Sequence, residues 1–226
     1  MRLLLFSFGL VACRIQPPPA EGDESWVEDL PAPELLRRIG LGLTGRLPSG
    51  TALDAVETHP EQMEDWIELW MQSEAFEDRL VHLLQQHWRT RIDVFDITGQ
   101  DLGLTLEDDH AYHRAVGEEP LRLMSRIVME DRPWREILTT DTTRIHHLMA
   151  PHWPVDYPEG ATGWQDARYT DGRPPVGVLA TNGLWWRYTT TESNLNRGRA
   201  AEVSRLLLCE DYLERPISFA DDDFDD

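Results

Sequence analysis

Pro60-Glu61-Gln62-Met63-Glu64-Asp65-Trp66-Ile67-Glu68-Leu69-Trp70-Met71 carries apolar side chains at Met63, Trp66, Ile67, Trp70 and Met71. Measured from Met63 they recur after three, four, seven and eight positions. That spacing draws one stripe along an α-helix, whereas a strand would scatter the same residues over two faces. Pro60 suits an opening turn, where its missing N–H costs nothing. Ser73 then reads as the N-cap of a second helix, on which Phe76, Leu80, Leu83, Leu84, His87 and Trp88 share a face.

The helical period extends outward in both directions. Pro33 opens a helix that ends near Gly45, and Ser49 caps a short one through Val56. Further helices are expected at 106–116, 119–130 and 133–139, the first capped by Thr105. A last one is expected at 193–208, with Val203, Leu206 and Leu207 inward. Residues 140–190 differ, mixing Pro, Gly, Tyr and Trp without a period, and read as a long ordered loop with room for a small hairpin. The expected fold class is all-α: an irregular helical domain over 33–215 with a loop-rich insertion. The tail at 216–226, ending Asp221-Asp-Asp-Phe-Asp-Asp226, is too charged to pack and reads as disordered.

At the other end, Met1-Arg-Leu-Leu-Leu-Phe-Ser-Phe-Gly-Leu-Val-Ala-Cys13 sets one positive residue before an apolar run that closes on Leu10-Val11-Ala12-Cys13. That closure has the form of a bacterial lipobox. Residues 1–12 are expected to be a signal peptide, and Cys13 to take a diacylglycerol through its sulfur. Residues 13–32, rich in Pro and acid, read as a spacer. No later apolar run is long enough to span a bilayer, so the expected location is the cell envelope, lipid-anchored to a bacterial membrane, outer membrane foremost.

The formal charge of −20 argues against nucleic acid as a partner, since binding there requires cations that neutralise phosphates. All 21 basic residues are arginine. With no lysine there is no Schiff base and no phosphate-loop lysine. If Cys13 is lipidated, Cys209 has no partner for a disulfide, and after three leucines it reads as a buried thiol. There is no Cys-x-x-Cys-His for covalent haem, so the expected cofactor is none, with a transition metal left open.

Three constellations can carry chemistry. His110 and His113, three apart on a helix, can turn both imidazoles to one side beside Asp109, with His147 (or His146 or His152) arriving from the irregular segment to complete a metal site. The competing reading is a solvated helix face. Asn196, Arg197 and Arg199 gather at a helix start and can hold an anion or partner, or pair internally with the many acids. Trp153, Trp164, Trp185 and Trp186 can stack on sugar rings, or pack the long segment against the helices. No nucleophilic triad is visible.

Three stretches resemble a known group. Leu41-Gly-Leu-Thr-Gly-Arg-Leu-Pro48 followed by Phe76-Glu-Asp-Arg-Leu80 and His87-Trp88 is one. Arg132-Pro-Trp-Arg-Glu-Ile-Leu-Thr139 is the second, and Gly177-Val-Leu-Ala-Thr181 with Asn194-Leu-Asn-Arg-Gly-Arg-Ala200 and Leu206-Leu-Leu-Cys209 is the third. In this order they resemble the Planctomycete-type cytochrome-associated domains of unknown function. The resemblance implies an exported protein working beside c-type cytochromes, with no established catalytic residues. The function expected is a lipid-anchored binding or assembly module, without catalysis of its own, whose partner is a c-type cytochrome or another envelope protein. The alternatives are a metal-dependent envelope enzyme and a glycan-binding surface protein.

Overall fold

The computed structural model describes residues 29–92, 95, 96, 99–193 and 195–212. Cys13, the spacer up to residue 28 and the acidic tail lie outside the described residues. Those described fall into two compact units that divide after Arg187.

The larger unit begins with four helices, α1 (Ala32–Thr44), α2 (Gly50–Thr58), α3 (Met63–Met71) and α4 (Glu74–Trp88). Each boundary has a local cause. Gly45 closes α1 in the left-handed region at φ 69°, donating its N–H to the Leu41 carbonyl. The Ser49 and Ser73 side chains accept from the N–H of Ala52 and Phe76 respectively. Leu36, Ala52 and Val56 form a small core on which Met63, Trp66 and Trp70 lean.

The centre of this unit is α5 (Leu106–Met129), capped by Thr105, whose hydroxyl accepts from the Asp108 N–H. It is one 24-residue helix where two were expected, because Pro120 does not end it. Proline at 120 cannot donate to the carbonyl of Val116, the usual cause of a break. Here Gly183 packs against that carbonyl: a Cβ on it would stand 1.9 Å from the Val116 oxygen. The helix expected at 133–139 is a 3₁₀ stretch, Trp134–Leu138.

The fold is mainly, not purely, α-helical. β1 (Thr143–His146) pairs antiparallel with β2 (Trp164–Ala167), with Thr143 opposite Ala167 and His146 opposite Trp164. Thr143 and Ile145 point into the core and Arg144 and His146 are less buried, the alternation that gives a strand its two faces. Residues 182–187, read as loop, form the short helix α6 (Asn182–Arg187). The main core joins α5 to the sheet through Tyr112, Ala115, Val116, Ile145, Met149, Trp153 and Ala167.

In the smaller unit, α7 (Arg197–Val203) runs on as a π-helical turn, Ser204–Leu208. Cys209 closes it at φ 55° and is exposed, which corrects the buried placement: its side chain follows the helix end outward instead of continuing the leucine face.

Candidate functional site

Helix α5 buries Asp109, His113, Glu118 and Glu119, each at most 6% exposed, on different sides of its axis. Burying such groups is costly unless each finds partners, so their bonds define what the site can do.

Glu119 lies fully buried one residue before Pro120. The Tyr169 hydroxyl donates to its Oε1 at 2.6 Å and the Thr143 hydroxyl at 3.0 Å, while the Gly183 N–H donates to Oε2 at 3.1 Å. Burial pushes its carboxyl up to about 7, against the opposing pull of these three donors and of the Arg173 guanidinium. Burial, and then the Glu119 charge, hold the Tyr169 phenol protonated. Arg173 lies over the Tyr169 ring, 3.6 Å from its centroid, and donates to the Ala180 carbonyl and the Asn182 side chain. One carboxyl thus ties α5 to β1, to the chain after β2 and to the start of α6.

Glu118 points to the neighbouring sector and collects cations. Arg91 and Arg114 each reach its Oε1 at 2.8 Å, and Arg122 reaches Oε2 at 3.1 Å. Arg122 continues to Asp78 on α4 at 2.8 Å. Beside this cluster the chain comes very close to α5: a Cβ on Gly117 would stand 2.7 Å from the Arg91 α-carbon.

Asp109 and His113 come together, as the spacing on one helix predicts, but face inward. His113 Nδ1 accepts the Phe95 N–H at 2.9 Å, which places the ring proton of the neutral form on Nε2. Asp109 Oδ1 lies 3.3 Å from Nε2, near enough for attraction yet outside hydrogen-bond alignment, so Nε2 has a charge neighbour and no acceptor. Asp109 itself accepts the Gly99 N–H. The pair pins Phe95 and Gly99 to α5.

The other metal candidates stand apart. His110 is exposed, whereas His113, three positions on, is buried. His147 is exposed, and its Nδ1 accepts the Gly163 N–H at 3.1 Å. The His146 ring lies tilted against it with centroids 4.2 Å apart; burial first, and His147 second, lower His146 to about 4. His152 is exposed and meets the edge of Tyr112. Among the described residues no three His, Cys, Asp or Glu side chains are grouped to hold a metal ion.

The tryptophans divide their faces among internal neighbours. Trp153, 7% exposed, donates its indole N–H to the Tyr112 hydroxyl and packs on Trp186 and Tyr169. Trp164 meets the His146 ring and lies under Arg122, and the Trp185 N–H donates to the Leu179 carbonyl. In the smaller unit Asn196 precedes α7 with φ 68°, Arg197 donates to the Ser193 carbonyl and Arg199 to the Tyr188 carbonyl.

Sequence reasoning missed Glu118 and Glu119 because acids are so abundant here. The available signal was Gly117-Glu-Glu-Pro120, two carboxylates flanked by a small residue and a helix-interior proline. No known protein family, no curated protein and no solved structure matches the chain.

Proposed function

We propose that the protein is a lipid-anchored cell-envelope module that binds and helps assemble a partner protein, a c-type cytochrome or another envelope component, without chemistry of its own. The observation that carries binding over turnover is the state of the four charged or titratable side chains that α5 buries. Glu118, Glu119 and Asp109 accept from groups inside the unit, and His113 has one nitrogen bonded and the other turned to Asp109. A general acid or base must reach the proton that it moves, and these groups are spent on holding segments together. The anchor rests on Leu10-Val-Ala-Cys13, and the cytochrome association on the three ordered stretches that resemble the cytochrome-associated domains.

The test is metabolic labelling with an alkyne fatty acid in the producing cell. Label entering the full chain, and lost in Cys13→Ser, supports the anchor; equal label in both proteins, or none, overturns it. Chemical cross-linking of the same membranes must also return the chain joined to another protein, and recovery only as the free chain sinks the binding role.

A further inference from the structure

The end of α5 and the sheet enclose a cleft of about 30 Å³. Three arginines and one aspartate line it: Arg126 in the last turn of α5, Arg132 just after that helix, Arg144 on β1 and Asp166 on β2. Thr140 and Thr142 complete its polar wall, and Leu123 and Ile127 supply an apolar one.

Carboxylates hold these arginines in place without using all their donors. Arg126 Nη2 meets Glu130 at 2.7 Å, Arg144 Nη1 meets Asp166 at 2.9 Å, and Arg132 reaches both Glu130 and Glu136. Arg144 Nη2 also donates to the Trp164 carbonyl. The Nε–H groups of Arg126 and Arg144, however, are buried and meet no acceptor. Among the described residues only four buried side-chain polar atoms lack a partner, and these two belong to side chains lining the same cleft. The threonines add a third donor. Their hydroxyls lie 2.9 Å apart, so one hydroxyl hydrogen is used between them and the other is left over.

Net charge is not the argument, since Glu130, Glu136 and Asp166 balance the three arginines. The argument is the unspent donors. A buried donor without an acceptor is costly, and such a group calls for a bound water or ion. An anionic oxygen is the strongest acceptor for a guanidinium. The last carbonyls of α5 already accept elsewhere: those of Arg126, Ile127 and Val128 take the N–H groups of Glu130, Arg132 and Asp131.

We propose that this cleft is an anion site, in which a phosphate group accepts from the Nε–H of Arg126 and of Arg144 and from a threonine hydroxyl. Its volume is roughly two to three times the least that holds one water, which suits one small oxyanion or the phosphate head of a larger molecule entering from solvent. The site goes beyond the binding-module reading and stands without it.

Titration of the full chain with sodium phosphate, glycerol phosphate and acetate, in about 150 mM NaCl, tests this. The readout is the pair of side-chain Nε–H signals of Arg126 and Arg144 in proton–nitrogen spectra, assigned through their bonds to the backbone. Expected are both signals moving along one saturable curve with phosphate, one ion per chain by calorimetry, and a much weaker response to acetate. Arg126→Lys keeps the charge and removes the Nε–H, and is expected to weaken phosphate about tenfold. Arg126 is 40% exposed, and unchanged melting of the variant shows that the fold is kept. Tighter binding of glycerol phosphate than of phosphate identifies a phosphate ester as the ligand, and the reverse order the free ion. No saturable movement of either signal leaves water as the acceptor and overturns the site. Phosphate binding that Arg126→Lys and Thr142→Val leave unchanged puts the ion elsewhere, and an equal response to acetate reports general charge; either result overturns it too.

Discussion

Glu119 is where opposing effects meet on one side chain. Three donors and a nearby guanidinium favour its anion, burial favours its acid, and burial prevails at about 7. The folded state therefore holds this proton more tightly than the unfolded chain, whose carboxyl titrates near its ordinary 4.5. The stabilising contribution is fully present below about 4.5 and is lost as pH rises through about 7, a swing of ~3 kcal/mol. Glu119→Gln removes the titration. Urea unfolding of both proteins at pH 5 and pH 8 is expected to show the wild type losing about 3 kcal/mol more than the variant across that interval. An offset equal at both pH values would show that the buried carboxyl does not titrate there, its size then reporting only the new amide facing the Gly183 N–H.

Among the elements, α5 and α6 show what local sequence conveys. Ser49, Ser73 and Thr105 were legible as caps because a cap is a contact within four residues, and the faces of α3 and α4 because their period is local. The break expected between 116 and 119 is absent, and nothing local says so, because the tolerance of Pro120 depends on Gly183, 63 positions on, packing over the carbonyl that the proline leaves unbonded. The inward turn of Glu118 and Glu119 was invisible for the same reason: Arg91, Thr143 and Tyr169 come from other segments. α6 escaped because six residues carry too little period to read. The joint itself is testable. Gly183→Ala puts a methyl 1.9 Å from the Val116 oxygen and must lift α6 off Glu119. Expected are a loss of about 3 kcal/mol and amide-exchange protection that falls first over 182–187. Wild-type protection in that segment would mean that the backbone gives way without releasing Glu119. A smaller change, Thr105→Ala, is expected to cost about 1 kcal/mol in the same unfolding assay, since it removes one cap and nothing buried.

Across the whole molecule, the response to salt depends on whether ion pairs or net charge dominate. The arginine pairs divide by burial. Those on Glu118, a side chain 3% exposed, are screened little by added ions. Exposed ones such as Arg168–Asp141, with both side chains more than half exposed, contribute little and are screened by added ions. Against them stands a formal charge of −20, with the carboxylates of α2 and α3 unpaired, and that repulsion opposes the compact state at long range. Raising ionic strength from about 10 to about 150 mM shortens the screening length from roughly 30 to 8 Å, which removes repulsion across the molecule and leaves short contacts largely intact. The melting temperature is therefore expected to rise by several degrees, about 5 °C, and to level off by roughly 0.3 M NaCl. A rise that continues linearly to molar salt would indicate salting-out of apolar surface instead. A fall would show that exposed pairs outweigh the net charge. A Glu64→Arg, Glu68→Arg protein, four charges less negative, should gain less from the same salt, which ties the response to net charge.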